Sequence, residues 1–164
     1  MPVDQDLAII AVQEQKLRFE HFIEEDAWKI GVLLREICVS RQFPVVIDIR
    51  RPGHPLFYSA LAGSAPDNAE WARRKGNVVA RFHRSSYGMG LELQQKNATL
   101  EARYGLMLVD FAAHGGSFPL TVSGVGVIGS VTVSGLPQRE DHELVVEALC
   151  TCLGQDYAAL RLPL

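Results

Sequence analysis

The chain has 164 residues, of which 48% are hydrophobic and 21% are charged. This composition is typical of one globular domain and excludes a disordered or collagen-like chain. The formal net charge of −3 excludes the overall basic character on which binding to nucleic acid or to an anionic membrane depends. We therefore expect neither kind of partner.

The N-terminus and the cysteines both indicate a cytoplasmic protein. Residues 1–10 lack the cationic and apolar segments of a signal peptide. Cys38, Cys150 and Cys152 have neither a zinc-binding nor a redox spacing, so we interpret them as free thiols in a reducing compartment. Residues 111–138 contain no Asp, Glu, Lys or Arg, but their glycines and alternating apolar residues are typical of strands rather than of a membrane helix.

The first half of the chain predicts helices around a β-hairpin. Apolar residues recur at helical spacing in three segments, and acidic residues stand at the start of the first two, where the helix dipole favours them. Pro52-Gly53 separates two further segments and fits the centre of a type II turn. The predicted elements are helices at 4–15, 24–41 and 68–83 (the last capped by Asp67 or Asn68), strands at 45–50 and 56–61, and an extended piece at 17–22.

The second half predicts two more strands and a last helix. Residues 85–97 fit either a helix or a strand, because serines that could cap a helix precede apolar residues that alternate. In the strand predicted at 125–133, four valines share one face, and the other face has small residues except for Ile128. The other predicted elements are a strand at 106–112, a turn at 114–119 and a helix from 137 to about 153. Hairpins dominate this order, so we expect an α+β domain with a mainly antiparallel sheet and helices packed on it.

Lys75 stands on an otherwise apolar helical stripe. Trp71 precedes Lys75 by four residues. Apolar residues also follow it at three, four and seven positions, namely Val78, Val79 and Phe82. All of them share the face of the helix on which Lys75 lies. An ammonium group in this position could hold an anionic ligand or lose its proton and act as a base. The alternatives are a lysine whose methylene groups pack while the ammonium reaches solvent, and a buried ion pair.

Asp141 and His142 lie near the start of the last helix. Asp141 precedes Leu144 and Val145 by three and four residues, so its carboxylate can accept N–H bonds from the first turn or from the adjoining loop. This brace is one interpretation of Asp141, and a ligand contact or a general base is the other. His142 is interpreted as a structural side chain on the flank of the helix, with a role in the site as the alternative.

Motifs for several other chemistries are not found. No pair among the five histidines has metal-ligand spacing. The serines lack the G-x-S-x-G elbow of many hydrolases, and no phosphate-binding G-x-x-x-x-G-K-[ST] loop is found. The glycines at 124, 126 and 129 lie inside a strand pattern, so the dinucleotide fingerprint is not met. We therefore predict no metal site.

Two C-terminal segments resemble the haem-degrading, HbpS-like family, which is also called GlcG-like. They are GGSFPL at 115–120 and GVIGSVTVSGLPQREDH at 126–142, and the segments at 43–51 and 68–87 resemble a cytosolic branch of the family. The resemblance implies a profilin-like α/β/α sandwich that assembles into homo-oligomers. We describe the chain as a single domain at 1–164, with an N-terminal helical extension at 1–22 and a core at 23–155.

The resemblance also implies a ligand site. The expected pocket lies between the helix at 68–83, the turn at 115–120 and the start of the last helix. Some relatives bind haem, so haem or a small organic anion is the expected ligand. An enzyme that uses Lys75 and Asp141 as acid and base, and a structural or adaptor oligomer, are the alternatives. The candidate ligand-binding residues are Lys75, Phe118, Ser134, Gly135, Asp141 and His142.

Overall fold

The computed structural model describes residues 2–164, which form five strands and seven helices. The helices are α1 (Pro2–Lys16), α2 (Glu24–Ser40), α3 (Pro66–Phe82), α4 (Ser86–Gln95), α5 (Leu100–Tyr104), α6 (Gln138–Leu153) and α7 (Tyr157–Leu160). The strands are β1 (Arg18–Phe19), β2 (Val46–Arg51), β3 (His54–Ala60), β4 (Ser117–Val122) and β5 (Gly126–Ser134).

The strands form one sheet in the order β1-β4-β5-β2-β3. β1 runs parallel to β4, and the other neighbouring strands are antiparallel. Gly53 in the β2–β3 turn has a φ of 68°, as the second central position of a type II turn requires. The mainly antiparallel sheet with helices on both faces confirms the predicted α+β class.

The two faces of the sheet differ in chemistry because successive side chains of a strand point to opposite faces. One face is apolar and packs against α2 and α6, and its side chains include Ile47, Ile49, Val131 and Val133. The opposite face lies under α3, so the fold is a three-layer sandwich. Its side chains are mostly polar: Asp48 and Arg50 of β2, Ser117 of β4, and Ser130, Thr132 and Ser134 of β5.

Buried hydroxyl groups on the polar face bond to one another. Thr132 Oγ1 donates to Ser117 Oγ at 2.8 Å. Ser86 Oγ of α4 accepts the N–H of Ser117 at 3.0 Å and lies 3.3 Å from its carbonyl oxygen. Since buried polar groups without partners are costly, these bonds allow a sheet face without large apolar side chains to be covered by a helix.

The remaining helices pack at the periphery of the sandwich. Met89 and Leu93 of α4 form a small cluster with Val78 of α3. α1 packs against α4 and α7, mainly through Ile10. Within residues 2–164, no helix is long and apolar enough to cross a membrane.

The prediction of a strand at 106–112 is wrong, because this segment is a loop. Leu106 is buried, whereas the next three side chains, those of Met107, Leu108 and Val109, are each more than half exposed. The continuous apolar run predicted a strand in the core, but most of its side chains face solvent instead.

Side chains of α3 hold residues 107–110, called here the 107–110 loop. Three backbone carbonyl groups of the loop each accept one hydrogen bond from α3. Because these donors take the place of a neighbouring strand, the loop backbone needs no sheet partner. The bonds run from Arg74 to Leu108 O (2.7 Å), from Arg73 to Val109 O (2.8 Å) and from Asn77 to Asp110 O (2.8 Å).

A bulge in the β4–β5 ladder explains the irregular pattern of β5. The ladder passes from Gly129 to Val127, so Ile128 has no partner in β4. This extra residue resets the alternation of side chains. The prediction that Val125 shares the core face with Val131 is therefore wrong. Val125 lies before β5 and is 73% exposed.

Other boundaries differ from prediction by a few residues. Residues 85–97 adopt the helical alternative, and Ser85 caps α4 by accepting the N–H of Gly88 at 3.1 Å. α3 begins at Pro66, and its N-cap is Ala65 rather than Asp67 or Asn68. Asn68 lies in the first turn instead, where its Oδ1 accepts the N–H of Ala65 at 2.8 Å. β4 begins within the segment predicted as a turn, at Ser117.

Gly116 and Gly124 give a matched test of the packing before β4. Both have a positive φ, 136° and 77°, but a Cβ at Gly116 would lie 2.3 Å from Val133 O, whereas one at Gly124 would meet nothing within 4 Å. Gly124→Ala is expected to lower the free energy of unfolding by about 1 kcal/mol through backbone strain alone. Gly116→Ala should cost about 3 kcal/mol or more, since overpacking adds to strain. Chemical denaturation of both variants checks this, and equal losses would contradict it.

Candidate functional site

Lys75 and Asp141 form a buried ion pair beside the end of β5. Lys75 Nζ lies 2.9 Å from Asp141 Oδ2, and the two side chains are only 4% and 1% exposed. Nζ also donates to Val133 O at 3.4 Å and to Ser134 Oγ at 3.5 Å. All three N–H bonds of the ammonium group therefore have an acceptor. Of the interpretations of Lys75, the structure shows the buried ion pair.

Asp141 also holds the loop between β5 and α6. Its Oδ1 accepts the N–H of Leu136 at 3.0 Å, and its Oδ2 accepts the N–H of Gly135 at 3.3 Å. Gly135 has a φ of 151°, and a Cβ there would lie 2.5 Å from Pro44 O, so this position requires glycine. The brace predicted for Asp141 is present in addition to the ion pair.

Burial and charge act in opposite directions on this pair. Burial lowers the pKa of Lys75 and raises the pKa of Asp141, because a low dielectric disfavours each charged form. The attraction between the two groups opposes both shifts, and the N–H groups of Leu136 and Gly135 further oppose the shift of Asp141. The short distance between the two groups and their complete hydrogen bonds favour the ionised form of the pair.

A cavity of about 210 Å³ opens beside the ion pair. Its walls come from α3, from His114, from the loop between β5 and α6 and from the first turns of α6, whereas no residue of the turn expected at 115–120 lines it. Four of the six candidate residues line it. The lining comprises Asn68, Trp71, Lys75, His114, Ser134, Gly135, Leu136, Gln138 and Asp141.

Two side-chain amides direct N–H donors towards this cavity. Gln138 Oε1 accepts the N–H of Gly115 at 3.0 Å, and Asn68 Oδ1 accepts the N–H of Ala65 at 2.8 Å. Since each oxygen is bound to a backbone donor, the NH2 group is the part of each amide left to face the cavity. Sequence analysis missed both roles, although Gln138 lies in the SGLPQ segment and Asn68 was considered as a helix cap.

Trp71 and His114 form the rim of the cavity, and Arg74 packs against Trp71. The rings of Trp71 and His114 meet edge to face at 5.2 Å, and the Arg74 guanidinium lies 4.5 Å from the centre of the Trp71 ring. Partial burial, together with the charges of Lys75 and Arg74, lowers the pKa of His114. Its imidazole is therefore neutral at pH 7 and can donate from one nitrogen and accept at the other.

Phe118 and His142 are buried in the core and are not part of the lining of the cavity. The two rings are 5.9 Å apart. The structure brings together Lys75, Ser134, Gly135 and Asp141. The assignment of all six candidates as ligand-binding residues stays a prediction.

His142 is held as a neutral imidazole. Gln13 Nε2 donates to Leu160 O at 2.7 Å, so its Oε1 faces His142 Nε2 at 2.8 Å. The proton of the imidazole is therefore on Nε2, and Nδ1 is buried without a hydrogen-bond partner within residues 2–164. Burial, with a smaller effect of the Arg139 charge, lowers the pKa of His142 to about 3.

The family model for the haem degrading protein HbpS-like family matches residues 22–150, and the chain belongs to this family. The UPF0303 protein of Acidobacterium capsulatum is 59% identical to this chain over 163 residues, which cover 99% of both proteins. The UPF0303 protein of Paraburkholderia phymatum is 60% identical over 162 residues, or 99% of this chain and 98% of its own. The resemblance found in the sequence is confirmed.

Solved structures show the same fold. The crystal structure of the Ybr137w protein superposes with a TM-score of 0.83 at 30% identity, covering 90% of this chain and 87% of its own. The PduOC:Heme complex gives a TM-score of 0.68 at 18% identity, covering 79% of this chain and 93% of its own. HbpS gives 0.63 at 21% identity, covering 82% and 92%. At their low identities, the last two show the shared fold alone.

Removing either member of the ion pair should destabilise the protein strongly. Lys75→Met leaves Asp141 as a buried charge without its counterion, and Asp141→Asn does the same to Lys75, so each should cost about 3–5 kcal/mol. The double variant should lose at least about 1 kcal/mol less than the sum of the single losses. Urea unfolding of the wild type, the two single variants and the double variant measures this coupling.

Glu70→Gln, which breaks the exposed pair with Arg73, is the control and should change the free energy of unfolding by less than about 1 kcal/mol. Additive losses would contradict the coupling.

His142 should make the protein less stable in mild acid. Its folded pKa of about 3 lies below the ordinary 6.5, so its contribution is complete above 6.5 and falls as the pH is lowered towards 3. At about pH 5.5 the loss relative to pH 7 should be about 1.2 kcal/mol. The loss of unfolding free energy in mild acid should be smaller by this amount in His142→Gln. It should be unchanged in His21→Gln, because His21 is exposed. Identical pH profiles for the two variants would contradict the assignment.

Proposed function

We propose that the protein binds a small organic anion, such as a short carboxylic acid, in the cavity beside Lys75 and Asp141. The observation that supports this most directly is the polarity of the lining. Its carboxylate, Asp141, already accepts three hydrogen bonds, whereas the amide NH2 groups of Asn68 and Gln138 are free to donate. A ligand that enters therefore meets amide N–H donors beside an ion pair whose carboxylate is already satisfied.

The helix ends strengthen this preference for an anion. Asn68 is the third residue of α3 and Gln138 is the first residue of α6, so the N-termini of both helices border the cavity. The positive end of a helix dipole favours a negative group in such a position. Because the charges of Lys75 and Asp141 offset each other, the two helix ends and the amide donors carry the preference of the cavity for a negative group.

The volume of the cavity favours a ligand of few atoms. At about 210 Å³, it falls below the roughly 300–1,000 Å³ of sites for drug-sized ligands. We propose binding rather than acid–base catalysis, because the three N–H bonds of Lys75 are engaged and its ammonium is not available as a base.

Haem is the second candidate, favoured by the neutral imidazole of His114 at the rim. The solved PduOC:Heme complex, which shares the fold, makes haem a ligand to test here. A porphyrin exceeds the cavity, so haem would lie against its rim with His114 near the iron. Titration with haemin, followed at the Soret band, would then saturate with wild type and fail with His114→Gln, while His21→Gln would bind normally.

Gln138→Glu provides the sharpest test of the anion site. The new carboxylate can still accept the N–H of Gly115, but it replaces the NH2 donor with a negative charge at the cavity. Binding of the small carboxylates that wild type accepts should weaken at least about tenfold, or about 1.4 kcal/mol. Isothermal titration with a panel of acetate, malate and citrate checks this. Gln5→Glu, on the exposed side of α1, makes the same charge change away from the cavity and should bind as wild type does. Failure of wild type to bind any of the panel, or equal weakening in both variants, would count against the proposal.

A further inference from the structure

The two edges of the sheet are protected to very different degrees. One edge is β1, which has only two residues, and a short edge strand gives little template for pairing with another chain. The other edge is β3, which has seven residues. No Asp, Glu, Lys or Arg occurs from His54 to Pro66, so the charged residues that usually prevent edge-to-edge pairing are missing from β3.

The outer backbone groups of β3 follow from its pairing with β2. Leu61 N donates to Val45 O at 2.9 Å, so the backbone of residue 61 faces β2. In an antiparallel pair this direction alternates along the strand, and Ser59 therefore also faces β2. Tyr58 and Ala60 direct their N–H and C=O groups to the open edge. Their side chains lie on the same face of the sheet, and both residues are exposed.

We propose that β3 pairs with β3 of a second copy of this chain, in antiparallel orientation, and forms one continuous ten-stranded sheet. The two-fold axis passes beside Ser59, so that Tyr58 of each copy lies opposite Ala60 of the other. This register uses the N–H and C=O groups of both outward-facing residues in four hydrogen bonds. It also places each large tyrosine ring over a small alanine, so the strand is complementary to itself.

The helix beside β3 fits the same arrangement. α2 runs along β3, with Trp28 5.7 Å from the Phe57 ring and Arg35 near Ala60. Trp28 is 58% exposed, although it lies next to the apolar core. A two-fold axis beside Ser59 brings Trp28 of one copy towards Arg35 of the other, where a guanidinium can stack on the indole. The acidic first turn of α2, Glu24 to Asp26, likewise approaches the partner's Arg35 end, so charge and shape agree.

Two double variants at the same positions test the pairing and its register. In Tyr58→Lys/Ala60→Lys, like charges lie directly opposite each other across the interface and repel. In Tyr58→Lys/Ala60→Glu, each lysine lies opposite a glutamate of the other copy. Light scattering after size exclusion should give wild type a mass at least twice the 18.1 kDa of one chain. The Lys/Lys variant should have half the wild-type mass, and the Lys/Glu variant should keep it.

Amide hydrogen exchange gives a readout that does not depend on these variants. The N–H groups of Tyr58 and Ala60 should exchange slowly in wild type, although they lie on the outer side of an edge strand, and quickly in the Lys/Lys variant. Circular dichroism of both variants should match wild type, because the substituted side chains are exposed. A wild-type mass of 18.1 kDa, a Lys/Lys variant of unchanged mass, a Lys/Glu variant as small as the Lys/Lys variant, or fast exchange of both amides in wild type would each overturn the proposal.

Discussion

The ion pair between Lys75 and Asp141 connects the two helical layers of the sandwich directly, beside the end of the sheet. Lys75 belongs to α3 on the polar face, and Asp141 belongs to α6 on the apolar face. The two side chains meet at the end of β5, where no strand lies between the helices. The same carboxylate also fixes the loop that leads into α6. One buried contact thus fixes the walls of the cavity.

The polar face of the sheet explains why this contact matters so much. On the apolar face, α2 and α6 are held by many buried side chains, and the loss of one contact leaves the others in place. Where α3 crosses β5, at Gly76, it covers hydroxyl groups of Ser130 and Thr132 and gains little from the hydrophobic effect. Directional bonds therefore position this helix, and such bonds have narrower geometric tolerance than apolar packing.

Sequence reasoning succeeded where one physical signal dominates. Helical spacing of apolar residues located α2, α3 and α6, and the lysine on an apolar stripe pointed to the site. It failed at 106–112, where carbonyl groups are satisfied by side chains more than 30 positions away in the sequence, and at Ile128, where a bulge changes the alternation. Asn68 and Gln138 were missed because their importance depends on which end of each amide is already bound, and only the packed structure shows this.

The backbone conformation of the 107–110 loop is largely independent of the amino acids at positions 107–109. Three of the bonds from α3 reach backbone carbonyl oxygens, which every amino acid possesses, and the fourth runs from Arg73 to the side chain of Asp110. The conformation of the loop therefore does not depend on the side chains of Met107, Leu108 and Val109, which project into solvent. Substitutions at these positions can alter what this part of the surface recognises without disturbing the frame beneath. The loop is thus a site at which proteins of this fold could diversify, or at which a recognition sequence could be inserted by design.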